Sequence, residues 1–256
     1  MAETNIKLEV MDGVGIITMD RPESRNALTP DMVDEMGEAI KACNRYDVRA
    51  VMLTGSGPAF CSGADVKAFV ETLENDGPDA LHTKVVLGLR NLEKPVVGAV
   101  NGVAAGAGFS LTLGCDIRYA AQSARFLMAY ANIGATADGG STYLLPRLVG
   151  SGKAMEIYLA SQPIGSEMAL EMGLVNQVVA DDQLHRHAME TAVRLAQGPT
   201  LAYGKVKALF DQSWDNSIAD QLDAETKALA NSGISADFQE GIKAFSERRQ
   251  ARFQGK

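Results

Sequence analysis

Hydrophobic and polar positions in the first part of the chain follow two different periods. Residues 6–10 and 14–19 alternate as strands do, and the Met-Asp-Gly segment between them is typical of a hairpin. Thr29 and Pro30 then form a helix-start signal, and apolar residues recur at helical spacing as far as Cys43. The N-terminal part is therefore predicted to be a hairpin followed by an amphipathic helix.

The middle of the chain alternates between buried strands and helices. Strands are predicted at residues 50–54, 96–100 and 117–120, and helices at residues 80–92 and 106–113. Strand pairs and strands that alternate with helices indicate an α/β core with an interior sheet.

Beyond Gly150 the pattern is mainly helical. A short strand is predicted at residues 174–179, followed by amphipathic helices at residues 205–210, 218–230 and 238–249. We therefore divide the chain into a core and a C-terminal helical region that packs on the core or on another subunit. Their predicted bounds are residues 1–198 and 199–256.

Composition narrows the class of protein. The 256 residues are 46% hydrophobic and 22% charged, as in a soluble globular protein, and the net charge of −8 argues against nucleic-acid binding. No signal peptide or membrane-spanning segment is visible, so a cytoplasmic location is expected. The three cysteines have neither disulfide nor zinc spacing, and no metal is predicted.

Asp138 is the only charged residue in the glycine-rich segment 133–142. A poorly hydrated carboxylate in such a loop can exchange protons near neutral pH, which would make it an acid/base catalyst. The alternative is structural, because an Asp before a helix start can cap free backbone N–H groups.

Two segments combine a buried strand, small residues and a helix start, at residues 59–66 and 101–108. Small residues let a ligand approach the backbone, and free N–H groups at a helix start can bind an oxyanion. The local alternatives are a helix cap by Asp65 and close helix packing. The glycines of the second segment do not have the spacing of a dinucleotide-binding site. Two such turns in one chain favour an oxyanion hole.

These two turns, together with residues 20–28 and Asp116-Ile117-Arg118, resemble the enoyl-CoA hydratase/isomerase (crotonase) family. The resemblance runs from about Val14 to the C-terminus. It implies a spiral of strand-strand-helix units with a helical C-terminal trimerisation region. It also implies a homotrimer or dimer of trimers and an acyl-CoA thioester as ligand.

The resemblance places the thioester oxygen between the backbone N–H groups of Ala64 and Ala107. Family members usually have glycine where Ala107 stands, so its methyl group is expected to narrow the pocket. The two glutamates that hold water in family hydratases correspond here to Ser110 and Tyr130. Neither side chain readily acts as a general base at neutral pH, which disfavours ordinary hydration.

Residues 129–147 are most similar to the Δ3-Δ2 enoyl-CoA isomerases and the ring-1,2-epoxyphenylacetyl-CoA isomerases of the family. That subset carries its only acid where Asp138 stands. The resemblance implies that Asp138 removes a proton from C2 of the acyl group and returns it at C4. Tyr130 is expected to line the acyl pocket or to be an ordinary core aromatic residue.

Coenzyme A is expected only as part of the substrate, with no other cofactor. By resemblance, Arg25 and Lys67 contact the phosphates of coenzyme A, and Ala64 also belongs to the coenzyme A-binding residues. Arg248 is expected to reach the ligand of a neighbouring subunit. For each cation the alternative is an ordinary solvated charge.

Three alternative functions remain open. One is an enoyl-CoA hydratase, and another is a non-catalytic acyl-CoA-binding protein, since the two hydratase glutamates are missing. The third resembles 4-chlorobenzoyl-CoA dehalogenases, in which Asp138 would be the nucleophile and a histidine the base. The chain has only His82, His185 and His187, and His82 lies one residue away from the matching position.

Overall fold

A computed structural model describes residues 4–75 and 83–256 of the chain. Its strands are β1 (Ile6–Met11), β2 (Val14–Met19), β3 (Ala50–Gly55), β4 (Ala59–Cys61), β5 (Val96–Val100), β6 (Val103–Ala105), β7 (Ile117–Ala121), β8 (Arg125–Leu127), β9 (Ile164–Gly165) and β10 (Gln177–Val179). Its α-helices are α1 (Pro30–Ala42), α2 (Val66–Asn75), α3 (Gly88–Asn91), α4 (Ala107–Gly114), α5 (Ser141–Val149), α6 (Ser151–Ala160), α7 (Ser166–Glu171), α8 (Leu184–Ala196), α9 (Thr200–Gln212), α10 (Ile218–Gly233) and α11 (Ala236–Ser246). Among these helices, none has both the length and the apolar character needed to cross a bilayer.

The N-terminal prediction is confirmed. Strands β1 and β2 pair antiparallel across a turn in which Asp12 and Gly13 adopt left-handed backbone angles of φ 53° and 79°. Helix α1 begins at Pro30, and the side chain of Thr29 accepts a hydrogen bond of 3.3 Å from the backbone N–H of Met32. The sequence signals therefore determined both elements locally.

Two sheets organise the core. The larger sheet has the strand order β1-β2-β3-β5-β7-β10, and all of its pairs except β1 with β2 are parallel. The smaller sheet has the order β4-β6-β8-β9, with parallel pairing between its first three strands. The three central strands of the larger sheet are buried along their length, which explains their nearly continuous apolar sequences.

Consecutive strands alternate between the two sheets. In each of the successive pairs β3/β4, β5/β6 and β7/β8, the first strand joins the larger sheet and the second joins the smaller one. Helix α2 follows the first pair and α4 follows the second. This arrangement is the predicted α/β spiral of strand-strand-helix units, with helices α9, α10 and α11 at the C-terminal end.

Two predicted boundaries differ from the structure. Residues 80–82 of the predicted helix 80–92 lie outside the described residues, and Thr83–Leu87 form a single π-helical turn before α3. The strand predicted at residues 174–179 is only β10. Leu174 and Val175 lie in the turn after α7, and their apolar side chains are buried there. The backbone N–H groups of both residues donate to the carbonyl of Ala169 and not to a neighbouring strand.

The Asp116-to-Arg118 motif has a structural role in this fold. Asp116 accepts a 2.8 Å hydrogen bond from the Val96 backbone and pairs with Arg90 at 3.2 Å. Its other ion pair, 2.9 Å long, is with Lys207 of α9, whose side chain is buried. Burial lowers the pKa of Lys207, and the adjacent Asp116 carboxylate opposes that shift. The motif therefore attaches the first C-terminal helix to the core.

Candidate active site

Three neighbouring strands place the candidate residues. In the smaller sheet, Cys61 of β4 pairs with Ala104 of β6, and Ala105 pairs with Leu127 of β8. Because the three strands are parallel, the segments that follow them leave the sheet at the same edge. The two predicted turns and the segment that contains Tyr130 are therefore neighbours.

The first turn holds Ala64 between two fixed residues. Gly63 has φ +108°, a conformation that favours glycine. The Gly63 carbonyl accepts a 2.8 Å hydrogen bond from the Leu28 backbone, and the Asp65 N–H donates one of 2.8 Å to the Leu28 carbonyl. Ala64 forms an isolated parallel bridge with Leu28. The peptide units on both sides of Ala64 are thus anchored.

The second turn reaches the first through its glycine. Gly106 has φ 51° and ψ −121°, and its N–H donates a 2.9 Å hydrogen bond to Leu127 of β8. A Cβ atom on Gly106 would lie 4.0 Å from the Gly63 Cα atom, and one on Gly63 would lie 3.8 Å from the Ala107 nitrogen. Both glycines therefore stand where the two turns adjoin.

Two backbone donors remain available at this junction. Ala107 is the first residue of α4, where helical N–H groups have no partner within the helix. Within residues 4–75 and 83–256, neither the Ala64 N–H nor the Ala107 N–H donates a hydrogen bond. Two free donors on adjoining turns are suited to bind one carbonyl or enolate oxygen.

Two asparagines brace the first turn, a role that the sequence analysis did not assign. Asn26 is fully buried, and its amide donates hydrogen bonds of 2.8 Å and 3.2 Å to the carbonyls of Ala59 and Phe60. Asn101 donates to the carbonyls of Gly57 and Ala59 at 3.0 Å and 3.1 Å. The only available signal was that both residues lie within the motifs that carried the resemblance.

Asp138 is held by a buried phenol. The Tyr130 hydroxyl donates a hydrogen bond to Oδ1 of Asp138, whose side chain is half-buried. Burial raises the pKa of Tyr130, and the negative charge of Asp138 raises it further. Helix α5 begins at Ser141, three residues after Asp138, and its N-cap residue is Gly140.

Ser110 links this acid to the second turn. Its buried hydroxyl lies 3.1 Å from the Tyr130 hydroxyl, 3.0 Å from the Asp138 carbonyl oxygen and 3.3 Å from the Gly106 carbonyl oxygen. Because Ser110 is in the helix that Ala107 begins, Asp138 is anchored about one helical turn from a predicted oxyanion donor. The structure therefore brings Ser110, Tyr130 and Asp138 together.

The thiol nearest to the first turn is not poised as a nucleophile. Cys61 is fully buried immediately before the turn, and burial raises the pKa of its thiol to about 12. A neutral thiol is a poor nucleophile, so Cys61 has the small apolar core role predicted for it.

The predicted coenzyme A residues have different surroundings. Arg25 is exposed, and its carbonyl accepts a 3.0 Å hydrogen bond from Ser62 beside the first turn. Lys67 is exposed in the first turn of α2, directly after that turn. Arg248 follows α11, and no contact in the described part of the chain joins it to either turn.

The three histidines lie apart from this network or outside the described residues. His82 belongs to the undescribed segment. His185 is exposed on α8, and His187 contacts Gln177 at 3.0 Å and packs against the Tyr119 ring.

Comparisons with known proteins agree with the fold. Residues 9–256 match the enoyl-CoA hydratase/isomerase family. A Rhodobacter capsulatus protein named "probable enoyl-CoA hydratase" is 39% identical over 100% of both chains. The 1,2-epoxyphenylacetyl-CoA isomerase of Escherichia coli is 38% identical over 96% of this chain and 97% of its own. A solved enoyl-CoA hydratase from Bacillus anthracis matches with TM-score 0.90 and 29% identity, covering 98% of this chain and 100% of that one.

The chain therefore belongs to the enoyl-CoA hydratase/isomerase family and is an acyl-CoA enzyme. The spiral core and the C-terminal helices are those of crotonase-fold enzymes.

Replacement of Gly108 tests the close packing behind the second turn. A Cβ atom at this position would lie 2.1 Å from the Cys61 carbonyl oxygen, so Gly108→Ala must displace α4 from β4. We expect a loss of about 1–3 kcal/mol in the free energy of unfolding, measured by chemical denaturation.

The matched control is Gly241→Ala in α11, where the new Cβ would meet the Phe253 ring at an ordinary 3.5 Å. We expect this variant to gain up to about 1 kcal/mol, because alanine favours helix. Equal stability of the two variants would contradict the close approach of α4 and β4.

Proposed function

We propose that the enzyme isomerises an acyl-CoA thioester, with Asp138 as its single acid/base. The reaction is a shift of a double bond from the 3,4 to the 2,3 position, or the isomerisation of a ring-derived acyl-CoA. The observation that carries the proposal is the contact between Tyr130 and Asp138, which anchors the Asp138 carboxylate, while the Asp138 carbonyl lies 3.0 Å from the hydroxyl of Ser110 in the helix that Ala107 begins. The name of the Escherichia coli relative supports the same class of reaction.

The backbone donors stabilise the intermediate in this proposal. Removal of a proton from C2 moves electron density onto the thioester oxygen and forms an enolate. The N–H groups of Ala64 and Ala107 bind that oxygen, and donors of this type contribute about 3 kcal/mol each. Because both turns are anchored by neighbouring strands and by Asn26 and Asn101, the donors require little rearrangement during the reaction.

A single carboxylate accounts for both proton transfers. Asp138 accepts the C2 proton as a base and then donates it to C4, so the two carbons exchange one proton and no water is consumed. By resemblance, Ser110 and Tyr130 take the positions of the two hydratase glutamates. Tyr130 donates its hydroxyl to the Asp138 carboxylate, and Ser110 contacts the Tyr130 hydroxyl. Tyr130 also forms a wall of the acyl pocket in this proposal.

An enoyl-CoA hydratase is the second candidate, because the relatives from Rhodobacter capsulatus and Bacillus anthracis carry that name. Hydration requires a base that activates water. The raised pKa of Tyr130 removes this phenol from that role. This supports isomerisation over hydration.

Coenzyme A is bound in this proposal only as part of the substrate. Arg25 and Lys67 flank the first turn and contact the phosphates, while the backbone at Ala64 contacts the thioester end. Arg248 contributes from a neighbouring subunit.

The C-terminal helices supply the reason to propose an assembly. Large apolar side chains on and beside α9, α10 and α11 are exposed in the single chain, namely Phe210, Trp214, Ile218, Leu222, Leu229, Ile234, Ile242 and Phe245. Exposed apolar surface of this extent marks a protein interface. Residues 199–256 therefore form the trimerisation region, in a homotrimer or a dimer of trimers.

Light scattering during size-exclusion chromatography checks this assembly. The expected mass is three or six times that of one chain, and Leu222→Glu should shift it toward smaller species because it buries a charge. A wild-type monomer at micromolar concentration would rule out the proposed trimerisation.

Replacement of Asp138 by Asn removes the proposed base without a large change in shape. We expect the rate of double-bond shift in a 3-enoyl-CoA to fall about a hundred- to ten-thousandfold. Binding of the acyl-CoA, measured by calorimetry, should remain. The control is Asp182→Asn, which changes an exposed acid beside α8 and should leave the rate unchanged. Substantial turnover by Asp138→Asn would refute the proposed mechanism.

A further inference from the structure

We infer that Tyr130 is a positioning residue whose hydroxyl, oriented by Ser110, holds the carboxylate of Asp138 for proton transfer. The inference rests on the proposed role of Asp138 as acid/base. It gives the two side chains at the hydratase glutamate positions a specific task in the reaction.

The number of protons fixes the direction of these hydrogen bonds. Tyr130 has one hydroxyl proton, and an ionised carboxylate can only accept, so Tyr130 donates to Asp138. The single proton of Ser110 has three oxygen acceptors within 3.3 Å. Two of these are carbonyls that already accept other bonds. The Asp138 carbonyl accepts from the N–H and hydroxyl of Ser141, and the Gly106 carbonyl accepts from the Ser110 N–H. In the contact between the two hydroxyls, Ser110 is therefore the donor, because the single proton of Tyr130 is used on Asp138.

Burial protects the hydrogen bonds of Tyr130 and Ser110 from solvent. The Tyr130 and Ser110 side chains are largely inaccessible to solvent, so water competes little for their hydrogen bonds. The burial that raises the pKa of Tyr130 also keeps its hydroxyl protonated at neutral and mildly alkaline pH. Tyr130 thus remains a donor across the range in which Asp138 would act.

The backbone around Asp138 has other anchors, so the phenol hydroxyl is not needed merely to hold the loop. The Ala135 N–H donates a 3.0 Å hydrogen bond to the Tyr130 carbonyl, and the Tyr158 hydroxyl donates one of 2.8 Å to the Ala135 carbonyl. The Asp138 carbonyl is itself bonded to Ser141. The Tyr130 hydroxyl contributes the bond to the carboxylate itself.

This bond has a predictable effect on the split between kcat and KM. Phenylalanine keeps the ring of Tyr130 and loses only the hydroxyl that contacts the carboxylate. Loss of that hydroxyl should therefore lower kcat and leave KM little changed. A side chain that only filled space would be replaced by phenylalanine without a loss of kcat.

The experiment compares Tyr130→Phe with Tyr158→Phe in the full-length enzyme on a 3-enoyl-CoA. Both variants lose a phenol hydroxyl that bonds to the same loop, but only Tyr130 bonds to the carboxylate. We expect Tyr130→Phe to lower kcat about 10- to 100-fold with little change in KM. Tyr158→Phe should keep kcat close to that of the wild type.

Ser110→Ala tests the contact between the Ser110 and Tyr130 hydroxyl groups. We expect a smaller loss of kcat than for Tyr130→Phe, and the double variant should be no slower than Tyr130→Phe alone, because Ser110 acts through Tyr130. Additive losses would overturn the relay from Ser110.

The outcomes separate this inference from the proposed function. If the wild type isomerises, Asp138→Asn is inactive, and Tyr130→Phe keeps the wild-type kcat, the inference fails and the proposed function stands. An equal loss of kcat in Tyr158→Phe would also overturn it. A wild type without isomerase activity overturns both.

Discussion

Parallel pairing of β4 with β6 is the constraint on which the rest of the site depends. It brings the segments after Cys61 and Ala105 to the same edge of the smaller sheet, and the two turns then approach through Gly63 and Gly106. Both residues have positive φ angles, 108° for Gly63 and 51° for Gly106, which favour glycine. The spiral core, with strands alternating between two sheets, maintains this pairing. The position of the two backbone donors is therefore a consequence of the fold.

The third strand of the same edge, β8, adds the acid. The segment after it carries Tyr130 and then Asp138, and Ser110 of α4 ties both to the second turn. By resemblance, Tyr130 and Ser110 take the positions of the two glutamates of family hydratases. In our proposal, the glutamates that hold water in hydratases are replaced by Tyr130 and Ser110, whose hydroxyl groups position the carboxylate of Asp138.

The sequence predicted those features that depend on local signals. Thr29 and Pro30 marked the start of α1, and the small residues of both turns marked where the backbone comes close to a ligand. Resemblance to a family supplied the spiral and the positions of Ser110, Tyr130 and Asp138. The strand predicted at residues 174–179 was too long, because apolar residues buried in a turn are of the same types as those buried in a strand.

The hydrogen bond from Tyr130 to Asp138 could not be predicted in the same way. It depends on the path of residues 134–140, which is set by distant contacts such as that of Tyr158 with Ala135. The bracing by Asn26 was missed for a similar reason, since its acceptors lie more than thirty positions along the chain. Local pattern identifies the residue types, whereas long-range packing decides what they touch.

The most direct test of the account offers the purified enzyme a 3-enoyl-CoA and a 2-enoyl-CoA in separate reactions, with products identified by absorbance and mass. The account predicts that the 3-enoyl thioester becomes conjugated without a change in mass, while the 2-enoyl thioester gains no water. A 2-enoyl-CoA that gains one water, with no shift of the 3-enoyl double bond, would contradict the central role assigned to Asp138 as a base for isomerisation.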